Sequence, residues 1–317
     1  GIAALARIGK AFNLFAVEIE NSPVPARISQ DPELQKRYKE QLRTFSAPMY
    51  GRSVEFFKQG YKKGLELGII SDSFANVSRD LSAVLSKDYP PAEFTYDLLP
   101  TSIMGALREN DEDSRKQIAD VLIKNPKNAD AWIELGNIEL MANRYVLAEL
   151  AYEQALFFVP KKSAAYNNLA IIYLQLGDPM QAAASYAKAA SFDEFSKDIR
   201  VNQGNLRMKY RQFASAYQVI SAIAVKFPED RAVNISFAAA LTGTARLEQA
   251  KALLDKLDAK SAKRFALWYN WCVWAYFNGD ADEREDALDK LKDKIDDLTG
   301  QEKNAAERLR KLFEVKK

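Results

Sequence analysis

Histidine is absent from the chain, and cysteine occurs once, as Cys272. Without histidine the commonest general base and the commonest metal ligand are missing, and with them every Ser-His or Cys-His pairing. A single thiol cannot close an internal disulfide. Cys272, beside Trp271 in an aromatic run, is expected to be a buried, inert small hydrophobe. An excess of one charge is also lacking. Lys and Arg total 45 against 43 Asp and Glu, a net +2, too weak a bias to argue for nucleic acid or an anionic membrane as partner. No apolar run approaches the roughly 18 residues that span a bilayer. No glycine-rich phosphate loop follows a strand, and no stretch reads convincingly as a strand. Acidic groups at Asn110 to Ser114 and Asp280 to Asp286 fall at helix starts, where they favour the dipole. The second lacks the central glycine of a calcium loop. The expectation is therefore a non-enzyme, with no catalytic residue, no metal and no cofactor. The chain opens at Gly1 without a charged–apolar–small leader, so a signal peptide is expected to be absent or already removed.

A period is present instead. With Ala129 as position 1, Trp132, Leu135, Gly136, Ala148, Tyr152, Ala155 and Pro160 fall at positions 4, 7, 8, 20, 24, 27 and 32. A step of 34 brings Tyr166, Leu169, Ala170, Ala182, Tyr186 and Ala189 into the same roles. Further steps give Gly204, Ala216, Ile220, Ile223 and Pro228, then Ala238, Ala250, Leu254 and Leu257, then Trp268, Trp271, Cys272, Gly279, Leu288 and Leu291. Arg284 stands at the small position 20 of the last unit, so that pair is expected to splay. A helical hairpin cannot bury its apolar face alone, so such units stack and share a core. Positions 8 and 20 are small because the paired helices cross there, and the larger residues fill the space around the crossing. One step backwards, Thr95 to Asn128 reads as a degenerate unit whose first helix Pro100 interrupts.

The flanks read as helices. Ile2, Leu5, Ile8, Phe12, Phe15 and Ile19 form one apolar stripe over Ile2 to Glu20. Asn21 to Gln30 is a loop. Asp31 caps a helix opening on Pro32 and running to about Thr44; Pro48 is expected to break it, with a second helix from about Met49 to Leu67. Ser71 or Asp72 starts another helix, ending near Lys87 ahead of Pro90 and Pro91. At the far end, Thr299 to Val315 is an amphipathic helix with Ala306, Leu309, Leu312 and Phe313 on its apolar side. It is expected to close the last unit, or else to dock on a partner.

The repeated residues resemble the tetratricopeptide repeat family, including its W-x2-L-G opening and its A…Y…A…P close. The resemblance implies an all-α, right-handed α-solenoid with a helical cap at 1–94, an array over 95–298 and a capping helix at 299–317. More weakly, "AVEIENSPVP", "YKEQLRTFSAP", "FFKQGYKKGLELGI" and "KDYPP" resemble the helical segment ahead of the repeats in envelope-associated and gliding-motility proteins of Gram-negative bacteria. That likeness implies a periplasmic or outer-membrane-associated place in an envelope complex, without a membrane span, a cytoplasmic location being the alternative.

In this family the first helix of each unit lines a concave groove through positions 2, 5, 6, 9, 12 and 13. Position 6 here reads Glu134, Asn168, Asn202, Ser236 and Asn270, with Asn137 and Asn205 at position 9. An asparagine amide both donates and accepts, so one per repeat could hold an extended chain by its backbone; alternatively these residues are solvated or bridge neighbouring helices. A carboxylate clamp is not expected, because Ile133, Asp198 and Asn202 stand where basic residues are needed. Apolar groove candidates are Leu140, Met141, Leu174, Val201 and Met208, with Tyr269, Val273, Tyr276 and Phe277 at the end. Tyr269, Val273 and Tyr276 form a stripe that is either an exposed anchor or covered by the terminal helix, while Trp268, Trp271 and Trp274 belong to the core. The resulting expectation is a non-catalytic scaffold binding a protein or peptide segment in an open groove. The alternatives are an envelope subunit docking through its N-terminal module or convex face, and small-molecule or polysaccharide binding at the aromatic end.

Overall fold

The computed structural model of the protein describes residues 1–85, 89, 93–103, 112–278 and 280–315. The expectations that named Lys87, Pro90, Pro91, Asn110, Asp111 and Gly279 lie outside these residues. The chain divides into two compact units, Gly1–Pro91 and Ala92–Lys317.

The first unit holds α1 (Ile2–Glu20), α2 (Pro32–Glu66) and α3 (Asp72–Val84). Asp31 caps α2, its carboxylate accepting from the Glu33 and Leu34 amides, and Ser71 caps α3. The expected break at Pro48 is not there: α2 is one helix of 35 residues with Pro48 inside it. Proline removes one backbone bond, but Ser46, Ser53, Phe57, Gly60 and Gly64 are buried along the same helix. Phe57 is packed so close to α1 that a Cβ on Gly9 would lie 2.7 Å from its ring. Packing along α1 carries the helix through the proline.

The second unit is the array. Its inner helices α5 (Ala129–Met141), α7 (Ser163–Gln175), α9 (Lys197–Lys209), α11 (Arg231–Gly243) and α13 (Phe265–Asn278) start 34 residues apart. The outer helices α6 (Tyr145–Phe158), α8 (Pro179–Phe192), α10 (Phe213–Lys226), α12 (Leu247–Lys256) and α14 (Ala281–Ile295) keep the same step. Preceding them is α4 (Glu112–Lys124), and α15 (Gly300–Val315) closes the far end. No strand ladder occurs among the described residues. The small residues at the helix crossings, from Gly136, Ala148, Ala170 and Ala182 to Ala250 and Cys272, are buried. Burial raises the Cys272 thiol far above its usual range, so it stays protonated and unreactive. Arg284, at the position where a small residue was expected, lays its guanidinium 5.9 Å from the Phe313 ring of α15.

How tight a crossing is can be read at Gly136, where an added Cβ would stand 2.4 Å from the Tyr152 ring. That ring cannot swing away freely, because its hydroxyl donates to Asn137 Oδ1 at 2.8 Å. Alanine gains about 1 kcal/mol in helix propensity, but forced overpacking of a fixed ring costs about 1–3 kcal/mol. The steric effect wins: Gly136→Ala should lower the urea midpoint, and an unchanged or raised midpoint would show that the ring yields.

The unit expected over Thr95 to Asn128 differs in its first half. Residues 93–103 are not helical. Pro100 cannot donate a helical bond and holds Leu99 out of the helical region. The backbone of this segment finds its partners elsewhere.

Candidate functional site

Those partners are the asparagines of the inner helices. Asn270 accepts from the Thr95 amide at 2.9 Å and donates to the Thr95 carbonyl at 2.7 Å. Asn202 makes the same pair with Leu99, at 2.9 Å both ways. Asn168 repeats it with Thr101, at 2.8 and 3.0 Å. Ile103 donates its amide to Glu134 Oε1 at 2.6 Å. Each rung matches one residue of an extended chain, whose N–H and C=O point to the same side. One step of 34 along the array corresponds to two residues backwards along the segment. The segment therefore runs antiparallel to the repeats at about 6.6 Å per repeat. Odd-numbered residues face the ladder. Pro100 has the other parity, so its missing N–H costs nothing.

The amides are also joined to one another. Asn202 donates to Asn167 at 3.0 Å, Asn167 to Asn168 at 3.0 Å, and Asn168 to Asn137 at 2.7 Å. Asn137 in turn donates to Glu134 at 3.0 Å. Asn167 and Asn137 supply second donors to the carbonyls of Leu99 and Thr101, at 3.0 and 3.3 Å. All of Asn137, Asn167, Asn168 and Asn202 are fully buried. A buried polar network is favourable only when its members are satisfied, and here the segment completes it. Burial raises the Tyr152 hydroxyl beyond its usual range, so it remains a donor to Asn137. Burial also raises the Asp198 carboxyl, against the pull of Lys197 and of a hydrogen bond from Thr101.

Side chains set the register. Phe94 stands edge-on to Phe213 and stacked on Phe277, each with centroids 5.9 Å apart. Asp97 pairs with Arg264 at 2.6 Å, Leu99 packs on Val201 and Ile223, and the Ser102 hydroxyl donates to Glu134.

The structure thus brings Asn137, Asn168, Asn202 and Asn270 onto one segment, and that segment belongs to this chain. The open groove of the sequence reading is filled from within. Asn205 is buried at position 9, its Nδ2 without a partner among the described residues. Leu140 is buried, Leu174 half-buried and Met141 exposed. Met208 is in the core with Ala216 and Ile220, with Phe94 packed against them. Tyr269, Val273 and Tyr276 are corrected from groove to core. They are fully buried, with the Tyr269 hydroxyl donating to Ala305 of α15 and Tyr276 against Phe313. Their stripe is continuous with the apolar side of α15, so helix covers helix, and of the four residues expected at that end Phe277 alone keeps partial exposure. Trp268, Trp271 and Trp274 are buried. Asn167, Arg264 and Phe213 were not singled out from sequence. Asn167 sits at position 5, one of the groove-facing positions, and could have been.

Among the described residues no group of His, Cys, Asp or Glu could hold a metal, and no helix is long and apolar enough to cross a membrane.

Stacked helical hairpins of constant length make this an all-α solenoid with an inner groove. Residues 110–162 match the tetratricopeptide repeat family model, and the other hairpins of the array keep the same 34-residue step. Proteins of this kind are in general non-catalytic scaffolds for protein or peptide partners. The fold is similar to that of an APC/C hetero-tetramer, at 15% identity and TM-score 0.51, covering 93% of this chain and 61% of that one. A tetratricopeptide repeat protein from Parabacteroides merdae ATCC 43184 is 16% identical over 89% of this chain and 96% of that one, at TM-score 0.45. YrrB, a TPR protein with an unusual peptide-binding site, is 19% identical over 62% of this chain and 99% of that one, also at TM-score 0.45. No curated protein sequence matches the chain.

Proposed function

We propose that this chain is a non-catalytic interaction scaffold whose groove reads the backbone of an extended segment, with residues 93–103 as its resident occupant. The observation that supports it is the triple two-way pairing of Asn270, Asn202 and Asn168 with Thr95, Leu99 and Thr101. Side-chain amides bound to backbone select for extended geometry more than for sequence. In the full chain, chymotrypsin should spare the bonds after Phe94 and Tyr96 under conditions that preserve the helices. Prompt cleavage there would mean the groove does not hold its occupant.

One observation favours a second, compatible surface for external partners, and it fits the reading of a structural subunit. Ile123, Phe157 and Val225 occupy one position of the outer helices at multiples of 34, with side chains 77%, 76% and 85% exposed. Large apolar side chains repeated outward in register suit protein contact. Phe157→Glu should lower the yield of crosslinked partner from native cells and leave protease resistance at Phe94 unchanged; undiminished yield would exclude this row. The N-terminal likeness supports an envelope location, periplasmic or outer-membrane associated, which fractionation of native cells tests.

A further inference from the structure

The ladder is uneven. In the half nearest α4, Leu99 and Thr101 have both backbone groups met, and their carbonyls take a second donor each. In the other half, the Thr95 backbone has Asn270 alone among the described residues. Between them Asp97 falls opposite position 236, where Ser236 replaces asparagine, and among the described residues the Asp97 backbone makes no hydrogen bond with it. The array's own symmetry shows what is missing. Asn137 donates to the Thr101 carbonyl; two repeats onward and four segment residues back, Asn205 should donate to the Asp97 carbonyl. Instead Asn205 Nδ2 is buried and unpaired, as is Thr95 Oγ1. A buried donor without an acceptor is a standing cost, so the resident fits this half imperfectly. This half lies towards the Gly1–Pro91 unit in the chain, and it can open locally while Leu99 to Ile103 stay docked.

We propose that the half-groove formed by Asn205, Ser236, Arg264 and Asn270, with the ring pocket of Phe213 and Phe277, is an exchangeable binding site. Its ligand is an extended peptide carrying an aromatic residue and, three residues later, a carboxylate. The resident supplies the template: Phe94 fills the ring pocket and Asp97 meets the Arg264 guanidinium. A second backbone that presents a carbonyl to Asn205 gains what the resident forgoes. It competes against an intramolecular occupant at high effective concentration, so occupancy in the intact chain depends on how often the first half frays. This inference rests on the backbone-reading groove proposed above.

Two measurements on the full chain test it. Residue-resolved amide exchange should show Thr95 exchanging at least about tenfold faster than Leu99 and Thr101. A labelled peptide, acetyl-Glu-Phe-Thr-Tyr-Asp-Leu-amide, should bind a Phe94→Ala, Asp97→Ala chain at least about tenfold more tightly than the unaltered chain, because the competitor is weakened. Asp97→Asn alone serves as the milder variant and should shift binding in the same direction. The same peptide with its Phe replaced by Ala and its Asp by Lys should not bind. Equal protection of Thr95, Leu99 and Thr101, absence of peptide binding to both variants, or equal binding of the altered peptide would overturn the proposal and leave the groove reading standing. Loss of protection at all three amides would instead sink the groove reading itself.

Discussion

Replacing Asn168 and Asn202 together by alanine should release residues 99–103 from the groove and leave the repeats folded. Each asparagine is the acceptor for one buried amide, Thr101 or Leu99, at 2.8 and 2.9 Å. The two carbonyls keep other donors, since Asn137 and Asn167 remain; the two N–H groups keep none among the described residues. An unmet part-buried donor costs about 1–3 kcal/mol, so the pair should weaken docking by about 3 kcal/mol. That is roughly a hundredfold in the docked-to-free ratio. Within the helices the change removes the Asn202 donor from Asn167 Oδ1, a smaller loss than that of the two segment rungs. Alanine is the better helix former, and Asn137 keeps the Tyr152 hydroxyl as its donor. The expected result is exposure of Tyr96 to chymotrypsin and roughly hundredfold faster exchange at Leu99 and Thr101, with circular dichroism at 222 nm unchanged. Unaltered exchange at these two amides would mean that the ladder does not hold the segment. Collapse of the helical signal would mean that the network is part of the core.

The array was legible in the sequence because each crossing imposes a size limit that recurs at one period. Gly136, Ala170, Gly204, Ala238 and Cys272 cannot be large without separating the helices, so the frame survives although the filling residues vary. The asparagine register was legible for the same reason: Asn168, Asn202 and Asn270 fall at one repeat position on one face. Their occupant was not. Thr95 to Ile103 pairs with side chains 31 to 175 residues away, and no local period reports such a partner. Ser114, Ile118 and Val121 fall in the repeat frame, which made the preceding residues read as half of a hairpin. Pro100 was the sign that they are not. The tyrosine stripe was ambiguous because a groove-facing aromatic and one under a capping helix have the same spacing. Only α15, packed on Tyr269 and Tyr276, separates the two. At Pro48 the local rule lost to tertiary packing along α1.

Trp274→Ala should melt the end of the array without melting its middle. The indole is 1% exposed, donates from Nε1 to the Leu247 carbonyl at 3.0 Å, and lies 5.1 Å from the Lys251 ammonium. It therefore ties α13 to the start of α12. Truncating a buried tryptophan costs about 3–5 kcal/mol, comparable with the whole stability of many domains. In a stacked array each unit touches only its neighbours, so the loss should spread locally. Asn270 lies one turn before Trp274 on the same helix, and its rung to Thr95 should fail with it. Asn202 and Asn168 stand on α9 and α7, beyond the damaged units, and should keep Leu99 and Thr101. Amide exchange checks this directly: protection should fall over 247–315 and at Thr95, and persist over 129–209 and at Leu99 and Thr101. Uniform loss along the whole array would show a single cooperative body. Loss of Leu99 together with Thr95 would show that the segment docks as one piece, which would also remove the basis for an exchangeable half-groove.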